Sequence, residues 1–187
     1  DEVDLVLKEA RERYDDLEED RRELFDCERL WNPYADSRFM WGWEQAKETE
    51  AERFMWGIDM DTSEMLLADR LREKGETISA LIGHHPFGMS RTSFPEVMWM
   101  QTNLYDDVGL PINVLEGLIR PRMEEVQKNV LGLNYNKAVD AARMLNILTC
   151  NIHSPADNMV QRYMGNLFEA TEPKYVGDVI DALLKVP

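Results

Sequence analysis

The only three histidines of the chain fall where apolar runs end. His84 and His85 stand side by side in Ile82-Gly83-His84-His85-Pro86-Phe87-Gly88, and His153 follows the run Ile147–Ile152, in Ile152-His153-Ser154-Pro155-Ala156-Asp157. Neutral imidazole is the commonest protein ligand for zinc, iron and related metals. Neighbouring side chains leaving a strand diverge, so two adjacent histidines rarely serve one ion from one side. They could instead each hold one of two ions in a site where the metals sit roughly 3.5–4 Å apart. Asp157, four residues after His153, adds a carboxylate oxygen, and imidazole with carboxylate suits zinc, iron, manganese, cobalt or nickel. All these groups sit where strands would end, the edge at which open α/β sheets keep their sites.

Each group also has a plainer reading. One of the paired histidines could be a satisfied core residue and the other a turn residue. Pro155 suggests a loop entering a helix at about Ala156, so Asp157 would lie in a first helical turn, where the helix dipole favours a carboxylate anyway. Asp59, at the end of the preceding apolar run, could reach the same edge and orient a ligating imidazole from behind. Ser154 lacks a Gly-x-Ser-x-Gly elbow, and Gly83–Gly88 lacks the Gly-Lys-Ser/Thr ending of a phosphate-cradling loop. Cys27 and Cys150 lie far apart without CxxC spacing, which argues against a disulfide framework or a thiolate metal site and for a reducing cytoplasm.

The elements that must position these groups can be read from the pattern. Residues 1–30 are rich in Glu, Asp and Arg with Leu5, Leu17, Leu24 and Leu30 interspersed, as in solvated amphipathic helices. Turn-forming residues over 31–38 and a polar stretch over 44–52 follow, so 1–52 reads as a helical and loop extension. Phe54–Asp59 is a short buried strand. Asp61-Thr62-Ser63-Glu64 is a capping box opening a helix that Gly75 ends. Ile78–Gly83 is the next strand, so the unit is strand–helix–strand with a parallel, right-handed crossover. A helix from Pro95 to about Val108, helical periodicity over 114–131 and 136–146 (a helical insertion), a strand over 147–152 and helices over 156–169 and 175–184 complete the reading. The fold class is α/β: a mostly parallel sheet built from strand–helix–strand units with additional helices, in one domain.

Composition excludes several functions. With 44% hydrophobic and 30% charged residues, the 187-residue chain suits a globular domain rather than disorder. A net charge of −15 speaks against nucleic acid as a partner, because a duplex needs a basic face. No stretch approaches the roughly 20 apolar residues of a membrane span. The five Trp and eleven Met are assigned to core and interface positions. Both ends read as cut, since the chain starts at Asp1 without Met and stops at Pro187 after an apolar segment.

The run Gly57–Ala68, with its strand ending in Asp59, its helix, and then Leu81-Ile82-Gly83-His84-His85-Pro86, resembles the Nif-three-like family. The later His153-Ser154-Pro155-Ala156-Asp157 matches that family's His-x-x-x-Asp element, and the resemblance covers roughly residues 54–160. Its members are α/β proteins with a dinuclear metal centre, often described as type 2 GTP cyclohydrolase 1 homologues. The resemblance implies that His84 and His85 each ligate one metal, that Asp157 completes part of the cage, and that His153 lines the site. It also implies a homo-oligomer, in the family a ring-shaped hexamer built from dimers. Two features depart from the family: the gap between His85 and His153 is long, and no histidine follows His153 where members supply a further His and a Glu from a C-terminal half.

Two functions follow as expectations. In a metal-dependent hydrolase, the ion would lower the pKa of bound water toward about 7, with a nucleotide ring or a phosphoester as electrophile. His153, with an ordinary pKa of about 6.5, would then shuttle the proton. In a non-catalytic interaction or regulatory protein the metal would be structural, and the acidic helices over 1–30 would face a partner.

Overall fold

In this computed structural model, the structure describes residues 2–47, 50–99, 105 and 109–186. By its internal contacts the chain divides into two units, Asp1–His153 and Ser154–Pro187. In the first, α1 (Glu2–Asp15), α2 (Glu19–Arg22) and a 3-10 turn (Cys27–Leu30) precede β1 (Phe39–Trp41), α3 (Trp43–Ala46) and β2 (Arg53–Gly57). There follow α4 (Thr62–Glu73), β3 (Ile78–Gly83), α5 (Gly88–Val97), α6 (Ile112–Leu131), α7 (Lys137–Met144) and β4 (Leu148–Asn151). The second unit is a helix pair, α8 (Ser154–Thr171) and α9 (Val176–Leu183), in which the Asp178 carboxylate accepts from the Lys174 and Tyr175 amides at 3.0 Å each and so caps α9.

The sheet runs β1-β4-β3-β2. β2, β3 and β4 are parallel, with Trp56 opposite Ile82 and Ile82 opposite Cys150, whereas β1 joins β4 antiparallel. The strand–helix–strand unit is therefore the one expected. β1 is not, because its three half-buried residues carry no alternation long enough to read. Trp31, Phe39 and Trp43 stack around β1, with ring centroids 4.3–6.3 Å apart, so these aromatics buttress the edge strand. Below them the Glu28 carboxylate accepts from the Phe39 amide and the Asn32 side chain, and burial pushes its pKa up.

α4 and α7 pack on one face of the sheet, where Met65, Ala68, Leu81, Ala142 and Ile147 are fully buried. The capping box of α4 forms as the sequence implies: Asp61 Oδ1 accepts from the Thr62 amide at 2.6 Å and Glu64 Oε2 from the Asp61 amide at 2.8 Å. Gly75, at φ +93°, takes the left-handed turn that ends the helix. Two boundaries here differ from the sequence reading. β2 stops at Gly57, two residues early, leaving Asp59 in a bend. α5 starts at Gly88 rather than at Pro95, which it carries internally. The continuation of that helix over Met100, Leu104 and Val108 lies outside the described residues.

Asp61 also pairs with Lys137 of α7 at 2.5 Å, and this contact, with the cap, holds its carboxyl below the ordinary 3.8. A depressed folded-state pKa contributes stability above the unfolded value that is lost as pH falls through the folded one. Asp61→Ala is expected to cost about 1 kcal/mol at neutral pH. Urea unfolding should show that gap closing in acid; a gap independent of pH would leave the cap without an electrostatic part.

Candidate functional site

The histidine turn begins at Gly83. A Cβ there would stand 2.8 Å from Met60 Cγ and 3.0 Å from Phe87 Cε1, so only glycine lets those side chains close beneath the turn. The His84 amide then donates to the Gly57 carbonyl at 2.9 Å, and the His85 amide to the Ile58 carbonyl at 2.8 Å. Consecutive amides bonding the same neighbour break the pleat's alternation, which in a strand would send the two rings to opposite faces. Here the rings lie 5.1 Å apart, and His153, entering from the end of β4, stands 4.9 Å from His84 and 6.0 Å from His85. All three histidines thus gather at the carboxyl edge of the parallel strands.

Each ring has an acceptor at Nδ1. His84 Nδ1 lies 3.1 Å from the Ile152 carbonyl, His85 Nδ1 2.9 Å from Asp59 Oδ1, and His153 Nδ1 2.7 Å from Asp36 Oδ2. A carbonyl or an ionised carboxylate only accepts, so in the neutral rings the proton sits on Nδ1 and the lone pair on Nε2. Imidazoles held in this way offer nitrogen donors to a cation.

The three supports are unequal. The His85–Asp59 pair is open to water, at 49% and 82% exposed, and such pairs are weak. Asp36 is 0% exposed and His153 16%, so their hydrogen bond is shielded. Around Asp36, the Ser37 hydroxyl donates to its other oxygen at 3.3 Å and itself accepts the His153 amide at 2.8 Å. Asn151 at the end of β4 stitches this loop down: its side chain donates to the Asp36 carbonyl and accepts the Arg38 amide. Nothing near residue 36 announces the role of Asp36, because its partner lies 117 residues away.

Asp157 stands exposed in the first turn of α8, four residues after His153, and α8 starts at Ser154 rather than at Ala156. Cys27 and Cys150 are free thiols, and burial pushes Cys150 up to about 11, which keeps that sulfur protonated at neutral pH. A cavity of about 430 Å³ adjoins the histidines and is lined by His85, His153 and Asp59 together with side chains of α5 and α6.

The shared tautomer is measurable. Long-range nitrogen–proton spectra of metal-free protein, at a pH where the rings are neutral, should show His84 and His153 protonated on Nδ1. In Asp36→Ala, His153 alone should lose that preference, with stability falling by about 1–3 kcal/mol for the donors left buried without an acceptor. An Nε2-protonated His153 in the parent would contradict the assigned support.

No family model and no curated protein matches the sequence. Among solved structures, a NIF3 superfamily protein from Sphaerobacter thermophilus matches with a TM-score of 0.69 at 31% sequence identity. The match covers 82% of this chain and 54% of that one, so the chain spans about half the length of that protein. With its mixed α/β architecture and four-stranded sheet, the chain has a NIF3-like fold.

Proposed function

We propose that the chain is a member of the NIF3 superfamily that binds a divalent transition metal through its histidines and serves a metal-dependent hydrolase acting on a nucleotide or a phosphoester. The observation that carries this reading is the set of Nδ1 contacts: all three rings are held through Nδ1 by a carbonyl or a carboxylate. Metal-ligating histidines show this arrangement, with the outer nitrogen fixed by a carboxylate or a carbonyl. The donor set is chemically suitable, since imidazoles with a carboxylate fit zinc, iron, manganese, cobalt or nickel.

We assign His84 and His153 to one ion; the Asp157 carboxylate, as the family resemblance implies, would complete part of its cage. His85, backed by Asp59, is the donor for a second. This assignment moves His153 from proton shuttle to ligand, because one lone pair cannot bind a metal and carry a proton at once. The buried Asp36 behind it fits the ligand role. A bound ion would supply hydroxide by lowering the pKa of its water to about 7. The protein's part is to hold the imidazoles in one orientation and to seat the substrate in the adjoining cavity, whose volume suits a small molecule. The reading carries with it a homo-oligomer, hexameric as in the family this chain resembles, and a cytoplasmic setting suited to two free thiols.

Metal content per chain after exposure to zinc or manganese tests the site. The parent should bind at least one ion. His84→Ala and His153→Ala should abolish binding, and Asp36→Asn should weaken it about 10- to 100-fold. A His153→Ala variant that keeps its metal but loses phosphoesterase activity would return His153 to the shuttle. A parent that takes up no metal sinks the hydrolase reading for this chain.

A further inference from the structure

Among the described residues lining the cavity beside the histidines, Arg91 is the one arginine, and its Nε is the one buried side-chain N or O atom without a partner. Arg91 lies on α5 and lines the cavity, yet its Nε is buried with no hydrogen-bond partner, and Arg91 forms no ion pair among the described residues. Six other arginines of the chain, Arg29, Arg38, Arg53, Arg70, Arg122 and Arg143, meet a carboxylate. A buried guanidinium N–H without an acceptor is costly, and such a group calls for a partner that the chain itself does not supply.

The rest of the lining limits what that partner can be. Phe94 on the same helix, with Val126 and Val130 on α6 and Leu133 just after it, gives the cavity apolar walls. The Asp59 carboxylate lies in the same lining and disfavours added negative charge. One arginine against one carboxylate is too little positive charge to hold a polyphosphate. It is enough for a single oxyanion group, which the guanidinium fork grips with two parallel hydrogen bonds.

We infer that Arg91 is the anion anchor of this cavity, and that its ligand is a small molecule carrying one phosphate or carboxylate group on an apolar body. As a statement about substrate this rests on the hydrolase reading above, which it narrows from nucleotides in general to compact phosphoesters. As a statement about binding it needs no metal.

The test uses chelator-treated protein, with phenyl phosphate, benzoate, neutral benzamide and GTP as probes and binding followed by calorimetry. Phenyl phosphate or benzoate should bind saturably, with benzamide and GTP at least tenfold weaker. Arg91→Gln should cost tenfold or more in affinity for the bound anion, and Arg91→Lys, which keeps the charge but loses the fork, should fall between. Unfolding curves of both variants show whether the fold persists; if Arg91→Gln does not fold, Arg91→Lys alone decides. The better anion of the two names the head group. Equal binding by parent and variants, or benzamide binding as well as benzoate, overturns the inference. Phosphate binding that appears only with added metal and ignores Arg91 overturns it while leaving the metal reading intact. Binding that depends on Arg91 in a protein that never takes up metal upholds it and removes the hydrolase.

Discussion

The site depends on a carboxylate that water does not reach. Asp36 is fully buried, and a buried charge is tolerated only when it is hydrogen-bonded on the spot. His153 and Ser37 supply those bonds, and the Asn151 side chain fixes the backbone on which Asp36 sits. The dependence runs both ways. The carboxylate fixes the ring of His153, and the ring in turn bonds the carboxylate. The loop over residues 36–38 also leads directly into β1, whose antiparallel pairing with β4 holds the whole arrangement against the parallel sheet.

From that support the logic of the other two histidines follows. His84 is fixed by the carbonyl of Ile152, the residue before His153, so one ring is held by the backbone that carries another. His85 is held from the other side by Asp59, beyond the end of β2. Three separate stretches of backbone thus hold three Nδ1 atoms at one edge of the sheet. The glycine at the end of β3 makes this possible by admitting Met60 and Phe87 beneath the turn, so the site rests on packed core rather than on a loop in water.

The supports differ in kind, and the difference matters for chemistry. A shielded carboxylate–imidazole pair keeps its geometry and its electrostatic strength, whereas the exposed Asp59–His85 pair is screened and adaptable. The cavity beside these groups combines the histidine edge with apolar walls from α5 and α6 and a single arginine. Under the proposed function, ligand selectivity and metal chemistry would be carried by different elements: the sheet edge for the donors, the helices for the ligand body.

Much of this was legible in the chain alone. The capping box at Asp61 and Glu64, the stop at Gly75 and the strand–helix–strand unit are written in local patterns, because capping, left-handed turns and short apolar runs act over a few residues. The placement of all three histidines at strand ends was legible for the same reason. What the sequence could not determine was which groups meet across distance. β1 is too short to show a period, and Asp36 looks like any turn aspartate until the antiparallel edge carries it to His153. The convergence of His84 and His85 likewise ran against the alternation expected of neighbours, because the chain leaves the pleat at Gly83. The sequence by itself determined the elements and the chemical types at their ends. The tertiary structure decided the Nδ1 partners, the buried support and the gathering of the rings, since those depend on hydrogen bonds between residues that only folding brings together.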